Sequence, residues 1–281
     1  MSSQKKMPLV SVITICRNAE DEISGTIASV LNQSYPTVEY IVIDGASTDG
    51  TVEKIKAAQN RISTWVSEKD AGIYDAMNKG ARLATGEWII FMNAGDRFYS
   101  NDAVKDLLCA HKADADLLYG DHEVRYPGGS SRIERAAPPS RLWKGMICSH
   151  QALLSKTTLL RQNPFDTSER VTADFAFLLQ QQVNGKRIEH CDVVVASILA
   201  GGVSDTRRVN AIRGYYRTVS RTHKGLRVKA YYFAALTWNL CKALMMAVMP
   251  PRAWERLAML KHRLVHSLGL RRARSDADSA P

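Results

Sequence analysis

The sequence predicts an α/β protein: a mostly parallel central sheet flanked by helices, followed by a basic helical extension. Three observations carry that expectation. Strand and helix patterns alternate from Val10 to Asn93, the order that builds parallel sheets through right-handed crossovers. The strand patterns are continuous apolar runs, as in strands covered on both faces, not the alternation of a half-exposed sheet. Charge also divides the chain: 207–274 hold 16 Lys+Arg and one acid, Glu255, whereas 1–206 hold 22 basic and 25 acidic residues. The expected organisation is a folded domain over 1–206, basic amphipathic helices over 207–274 and a disordered polar tail over 275–281.

Taken in order, "LVSVITI" is a β-branched run and reads as a buried first strand. Two lysines before it give the start a superficial likeness to a signal peptide. The run has no small-residue cleavage site, however, and passes straight into "RNAEDE". Glu20–Leu31 reads as a helix, with Ile23, Ile27, Val30 and Leu31 on one face and acids in the first turn. "VEYIVID" is a second strand, Val52–Ala58 a helix, "ISTWVSE" a third strand, "IYDAMNKGARLA" a helix and "EWIIFMN" a fourth strand. Farther on, "DLLYGD" reads as a strand and "EVRYPGGSSRIER" as a hairpin about its Pro-Gly-Gly-Ser turn. "ICSHQALLS" reads as a strand, "TADFAFLLQQQVN" as a helix and "RIEHCDVVVASI" as a strand that runs into "AGGVSD".

At 281 residues, 45% hydrophobic and 23% charged, the chain can bury one large core and carry an appendage. Its net charge of +10 suits an anionic partner. Five widely spaced cysteines without a CxxC pair read as buried thiols in a reducing compartment, excluding a disulfide frame or zinc site. No GxGxxG follows the first strand, which removes the usual dinucleotide phosphate turn. In a parallel sheet, ligands bind beyond the carboxyl ends of the strands. Polar clusters stand at all four ends: Arg17-Asn18, Asp44-Gly45, Glu68–Asp70 and Asn93–Asp96. Four candidates have bland readings as well. Asp44 is also a turn former, Asp49 a helix cap, Lys79 a solvated helix lysine, and Gly95-Asp96 a polar turn.

Five segments in the same order resemble the inverting nucleotide-sugar glycosyltransferases of family 2, which have the GT-A fold. They are "SVITICRN", "VIDGASTDGT", "SEKDAGIYDAMNKGARLATGEWIIFMNAGD", "SHQALL" and "TADFAFLL". The third is similar to bacterial enzymes that build surface polysaccharides. The resemblance implies that Arg17, Asp44, Asp70, Lys79, Asn93 and Asp96 bind a UDP- or GDP-sugar. It implies that Asp174 is the general base, placed where a helix N-terminus favours the ionised carboxylate. His150 and Gln151 would form the acceptor-side wall and touch acceptor or phosphate, and Ser204 would lie in a loop closing over the donor. The family pattern places two aspartates where this chain has Asn93 and Gly95. Asp96 with the Asn93 amide oxygen is therefore the expected Mg²⁺ or Mn²⁺ site, since Mg²⁺ often takes one or two carboxylates and completes its shell with phosphate and water. The Gln-x-x-Arg-Trp motif of processive members is absent, which favours addition of a single sugar. The rival expectation is a non-catalytic relative that binds nucleotide-sugar or a partner enzyme.

The segment Ala230–Met249 is long enough for a membrane span, but Asn239 and Lys242 interrupt it. Flanking Lys/Arg with Tyr231, Tyr232, Trp238 and Trp254 fit helices lying in the interface of an anionic leaflet. A helix packed on the domain with a solvated basic face is the alternative. An interfacial extension suits a polyprenyl-diphosphate-linked saccharide acceptor at the cytoplasmic side of the inner membrane, with the protein peripheral or monotopic. No nucleic-acid recognition motif accompanies the charge.

Overall fold

The computed structural model describes residues 7–111, 114–202 and 208–248. The chain divides into two compact units, Met1–Lys229 and Ala230–Pro281. The first is built on a nine-stranded sheet. Its opening half comprises β1 (Val10–Cys16), α1 (Glu20–Leu31), β2 (Val38–Asp44), α2 (Thr51–Ala57), β3 (Thr64–Ser67), α3 (Ile73–Leu83) and β4 (Trp88–Phe91). The strands lie in the order β3-β2-β1-β4, all parallel. Every residue of β1 is buried, as its unbroken apolar run requires. Val12, Val42 and Ile90 belong to a core with Ile23 and Ile27 of α1 and Ile55 of α2. Their neighbours Ile13 and Ile43 point to the opposite face, where α3 comes so close that a Cβ on Gly80 would sit 2.4 Å from Ile13 Cγ2. Helices thus cover both faces.

The later elements are β5 (Arg97–Phe98), α4 (Ala103–Ala110), β6 (Leu117–Arg125), β7 (Ser131–Glu134), β8 (Leu153–Lys156), α5 (Thr157–Gln162), α6 (Ala173–Val183) and β9 (Ile188–Leu199). β8 is antiparallel to both β4 and β6, whereas β6 and β9 are parallel. The parallel half is as predicted, and β8 makes the sheet as a whole mixed. Between Tyr119 and His122 the β6–β9 register shifts, and there a Cβ on Gly120 would lie 2.3 Å from the Val193 carbonyl oxygen. β6 and β7 form the expected hairpin.

The expected strand "ICSHQALLS" is corrected in its first half: His150–Ala152 is a 3₁₀ turn, and the strand begins at Leu153. In a strand His150 and Gln151 would point to opposite faces; the turn brings both to one loop. Cys16, Cys148 and Cys191 are buried and Cys109 and Cys241 exposed, which corrects the expectation of five buried thiols; all five are free. Burial pushes the Cys191 thiol up to about 11.

α7 (Arg208–Thr222) belongs to the first unit. It packs on α6 through Tyr215 and Phe175, ring centroids 4.5 Å apart, and pairs Arg217 with Glu169 at 2.7 Å. α8 (Leu226–Val248) carries Phe233 and Trp238 exposed to 74% and 73%. Among the described residues no helix is long and apolar enough to cross a membrane.

Candidate active site

The carboxyl ends of β1, β2 and β3 are in register, Cys16 beside Asp44 and Asp44 beside Ser67, so the clusters that follow them share one edge. Asp44 is fully buried. Its carboxylate accepts hydrogen bonds from Ser47 N at 3.0 Å, Ser67 Oγ at 2.6 Å and the Ser47 hydroxyl. It therefore organises the turn that follows β2. In that turn Ala46 has φ +55°, a conformation uncommon for non-glycine residues and frequent at functional sites. Gly45 is needed for close approach: a Cβ there would lie 2.4 Å from Asp70 Oδ2 and 3.3 Å from Arg17 Cδ. Arg17 and Asp70 thus close over the backbone at Gly45, and Asp70 Oδ1 also accepts Gly72 N at 2.9 Å. Lys79 is held by Glu68 at 2.9 Å, the Lys69 carbonyl at 2.9 Å and Asp75 at 3.7 Å, which ties the 68–72 loop to α3. Asp49 accepts Thr51 N at 3.1 Å and Glu20 N at 3.2 Å, so it joins the starts of α1 and α2 as a cap.

The 93–96 loop follows β4. Thr26 braces it, donating to the Asp96 carbonyl at 2.7 Å and accepting Gly95 N at 3.1 Å. The Asp96 carboxylate is buried; Oδ1 accepts Leu199 N at 3.1 Å and Oδ2 accepts the Gln151 amide. Burial raises its pKa, an effect opposed by these hydrogen bonds and by the Arg125 charge. The Asn93 amide nitrogen donates to His150 Nε2 at 2.9 Å, while Asn93 Oδ1 is buried without a partner. No group of three or more His, Cys, Asp or Glu poised for a metal occurs among the described residues. The orphaned Asn93 oxygen and the remaining lone pairs of Asp96 nevertheless match a cation that draws its other ligands from phosphate and water. The Arg97 guanidinium lies over Gly25 of α1, next to Thr26.

Asp174 is the second residue of α6. Its Oδ1 accepts the Tyr74 hydroxyl at 2.9 Å and Phe175 N at 2.8 Å. Burial and the adjacent carboxylate push the Tyr74 phenol far up, so it stays protonated and donates. Asp174 Oδ2 lies 3.7 Å from His150 Nδ1. With Nε2 accepting from Asn93, the ring proton sits on Nδ1, toward Asp174. A chain of side chains therefore runs from α6 through His150 to the 93–96 loop. Asp174, His150, Gln151, Asn93 and Asp96 come together; Arg17, Asp44 and Asp70 form a second group at the neighbouring strand ends. Ser204 lies outside the described residues. Sequence reasoning missed Tyr74, which a helix pattern marks only as apolar, and Arg125, which looks like one more charge in a hairpin.

Residues 11–183 match Glycosyl transferase family 2. A PGL/p-HBAD biosynthesis glycosyltransferase of Mycobacterium bovis is 31% identical over 212 residues, covering 71% of this chain and 80% of that one. The putative teichuronic acid biosynthesis glycosyltransferase TuaG of Bacillus subtilis is 38% identical over 103 residues, 36% of this chain and 41% of that protein. Among solved structures, the mannosyltransferase PcManGT from Pyrobaculum calidifontis, in complex with GDP-Man and Mn²⁺, matches with TM-score 0.63 and 21% identity over 93% of this chain and 81% of that chain. TarS of S. aureus matches with TM-score 0.59 and 19% identity over 82% of this chain, which spans only 43% of that chain; its 1–349 fragment in complex with UDP-GlcNAc matches equally well, TM-score 0.59 at 18% identity, over 82% of this chain and 71% of the fragment. The structures share the fold, and the sequence match extends from β1 to the end of α6. The chain belongs to glycosyl transferase family 2 and is a glycosyltransferase.

Proposed function

We propose that this glycosyltransferase moves one sugar, with inversion, from a UDP- or GDP-sugar to a hydroxyl of a lipid-linked saccharide in the synthesis of a bacterial surface polysaccharide. One observation carries the reading: a carboxylate at the N-terminus of α6, gripped on one oxygen by Tyr74 and its own backbone, faces the 93–96 loop across His150. Asp174 takes the proton of the acceptor hydroxyl, whose oxygen attacks the anomeric carbon opposite the leaving nucleoside diphosphate. The bond to the diphosphate breaks as the new glycosidic bond forms. Tyr74 keeps the base oriented, and His150 holds it in register with the loop that receives the diphosphate. Arg17, Asp44 and Asp70 shape the nucleoside end, with Asp44 acting through the turn it holds.

A bound Mg²⁺ or Mn²⁺ would be held by Asp96 and Asn93 Oδ1 and would neutralise charge on the diphosphate. Support for the donor class comes from the folds solved with UDP-GlcNAc and with GDP-Man and Mn²⁺. Support for the product class comes from the relatives named for teichuronic acid and PGL/p-HBAD biosynthesis. A location at the cytoplasmic face of the inner membrane, with α8 and the basic residues around it on anionic lipid, is supported by the charge of the basic extension. The test is to incubate the protein and a membrane lipid extract with a panel of UDP- and GDP-sugars, with and without Mg²⁺ or Mn²⁺. Turnover of one donor into lipid-soluble product is expected; a chain inert toward the whole panel overturns the reading.

A further inference from the structure

Arg125, the last residue of β6, is assigned to none of the roles above. Its Nη2 donates to the Gly95 carbonyl at 2.7 Å and to the Ser197 carbonyl at 3.4 Å. Gly95 has φ +94°, a conformation that an L side chain strains to adopt; the loop therefore presents this carbonyl at a position only glycine occupies freely. Arg125 Nε is buried without a partner, and Nη1 makes no hydrogen bond among the described residues. A buried N–H left unpaired is costly and calls for an explanation. Here the guanidinium is fixed by one nitrogen and has unmet donors beside a loop whose one carboxylate, Asp96, already accepts Leu199 N and the Gln151 amide.

We infer that Arg125 is a diphosphate-binding residue: its guanidinium, anchored on the Gly95 carbonyl, donates to a phosphate oxygen of the nucleoside diphosphate. The inference rests on the donor class proposed above. A fixed cation at the 93–96 loop neutralises leaving-group charge as the bond to the anomeric carbon breaks, where a preorganised donor is most effective. It also adds a second source of positive charge to a loop that has only one acid to offer a metal.

The experiment measures equilibrium binding of UDP, UMP, GDP and GMP to the full chain, with and without Mg²⁺, for wild type, Arg125→Gln and Arg125→Lys. The melting temperature is followed alongside. Wild type should bind one diphosphate more tightly than its monophosphate. Arg125→Gln should weaken that diphosphate roughly 10- to 100-fold and leave the monophosphate unchanged, with Arg125→Lys in between. Equal diphosphate binding by wild type and Arg125→Gln overturns the assignment alone. So does a parallel loss of mono- and diphosphate with a lowered melting temperature, which marks a purely structural role. A wild type that binds neither UDP nor GDP overturns the proposed function together with it.

Discussion

Asp174 has one carboxylate oxygen on two donors and the other toward an imidazole, so its orientation depends on Tyr74 more than on any other side chain. Tyr74→Phe removes a hydrogen bond to a charged group, worth about 1.5–3 kcal/mol. Steady-state kinetics should show kcat reduced roughly 10- to 100-fold with the donor KM little changed; a rise in donor KM alone would contradict the orienting role. Gly45→Ala tests the other end of the site. The new Cβ would stand 2.4 Å from Asp70 Oδ2 and must push Asp70 and Arg17 apart, so donor KM should rise at least several-fold while kcat changes less. Single residues were legible where type and place coincide, as with Asp174 opening a helix or Asp44 ending a strand. The contact between Asn93 and His150 was not, because their 57-residue separation is closed only by the fold.

At the scale of elements, α3 is seated on β1 through a bare backbone. Gly80→Ala improves helix propensity by about 1 kcal/mol but drives a methyl into the fully buried Ile13. Overpacking of this kind costs about 1–3 kcal/mol, so thermal unfolding should show a net lower midpoint. The bulge between β6 and β9 carries a pH signature. Burial of Asp121 opposes its ionisation, but bonds from Ala136 N, Arg135 and His190 outweigh this and hold its pKa below the ordinary 3.8. The folded state therefore releases this proton more readily than the unfolded chain. Its contribution is present above the ordinary value and lost as pH falls through the folded one. Asp121→Asn should lower stability at neutral pH and flatten the acid loss, as read by denaturant unfolding from pH 7 to 3. The parallel half was legible because unbroken β-branched runs alternate with helical spacing. The direction of β8 was not, since an apolar run has no polarity, and α4 and α5 went unread because short amphipathic helices give little periodic signal.

For the whole molecule, the division of charge was legible by counting, while what the basic part touches is a matter of surface chemistry. Phe233 and Trp238 stand three-quarters exposed on α8, in a region where basic residues outnumber acids 16 to one. Vesicle sedimentation should show binding to anionic but not to zwitterionic bilayers, with release at high salt as the Debye length shortens. Replacing both aromatics by serine should weaken binding at least several-fold; salt-resistant binding would contradict an interfacial mode. The proposed transfer turns on the chain from Asp174 through His150 to the 93–96 loop. Its most direct test compares wild type with Asp174→Asn in one preparation, following sugar transfer and nucleotide binding together. Transfer should fall by roughly 100-fold or more while nucleotide affinity holds. An Asp174→Asn enzyme that transfers sugar at the wild-type rate would contradict the account at its centre.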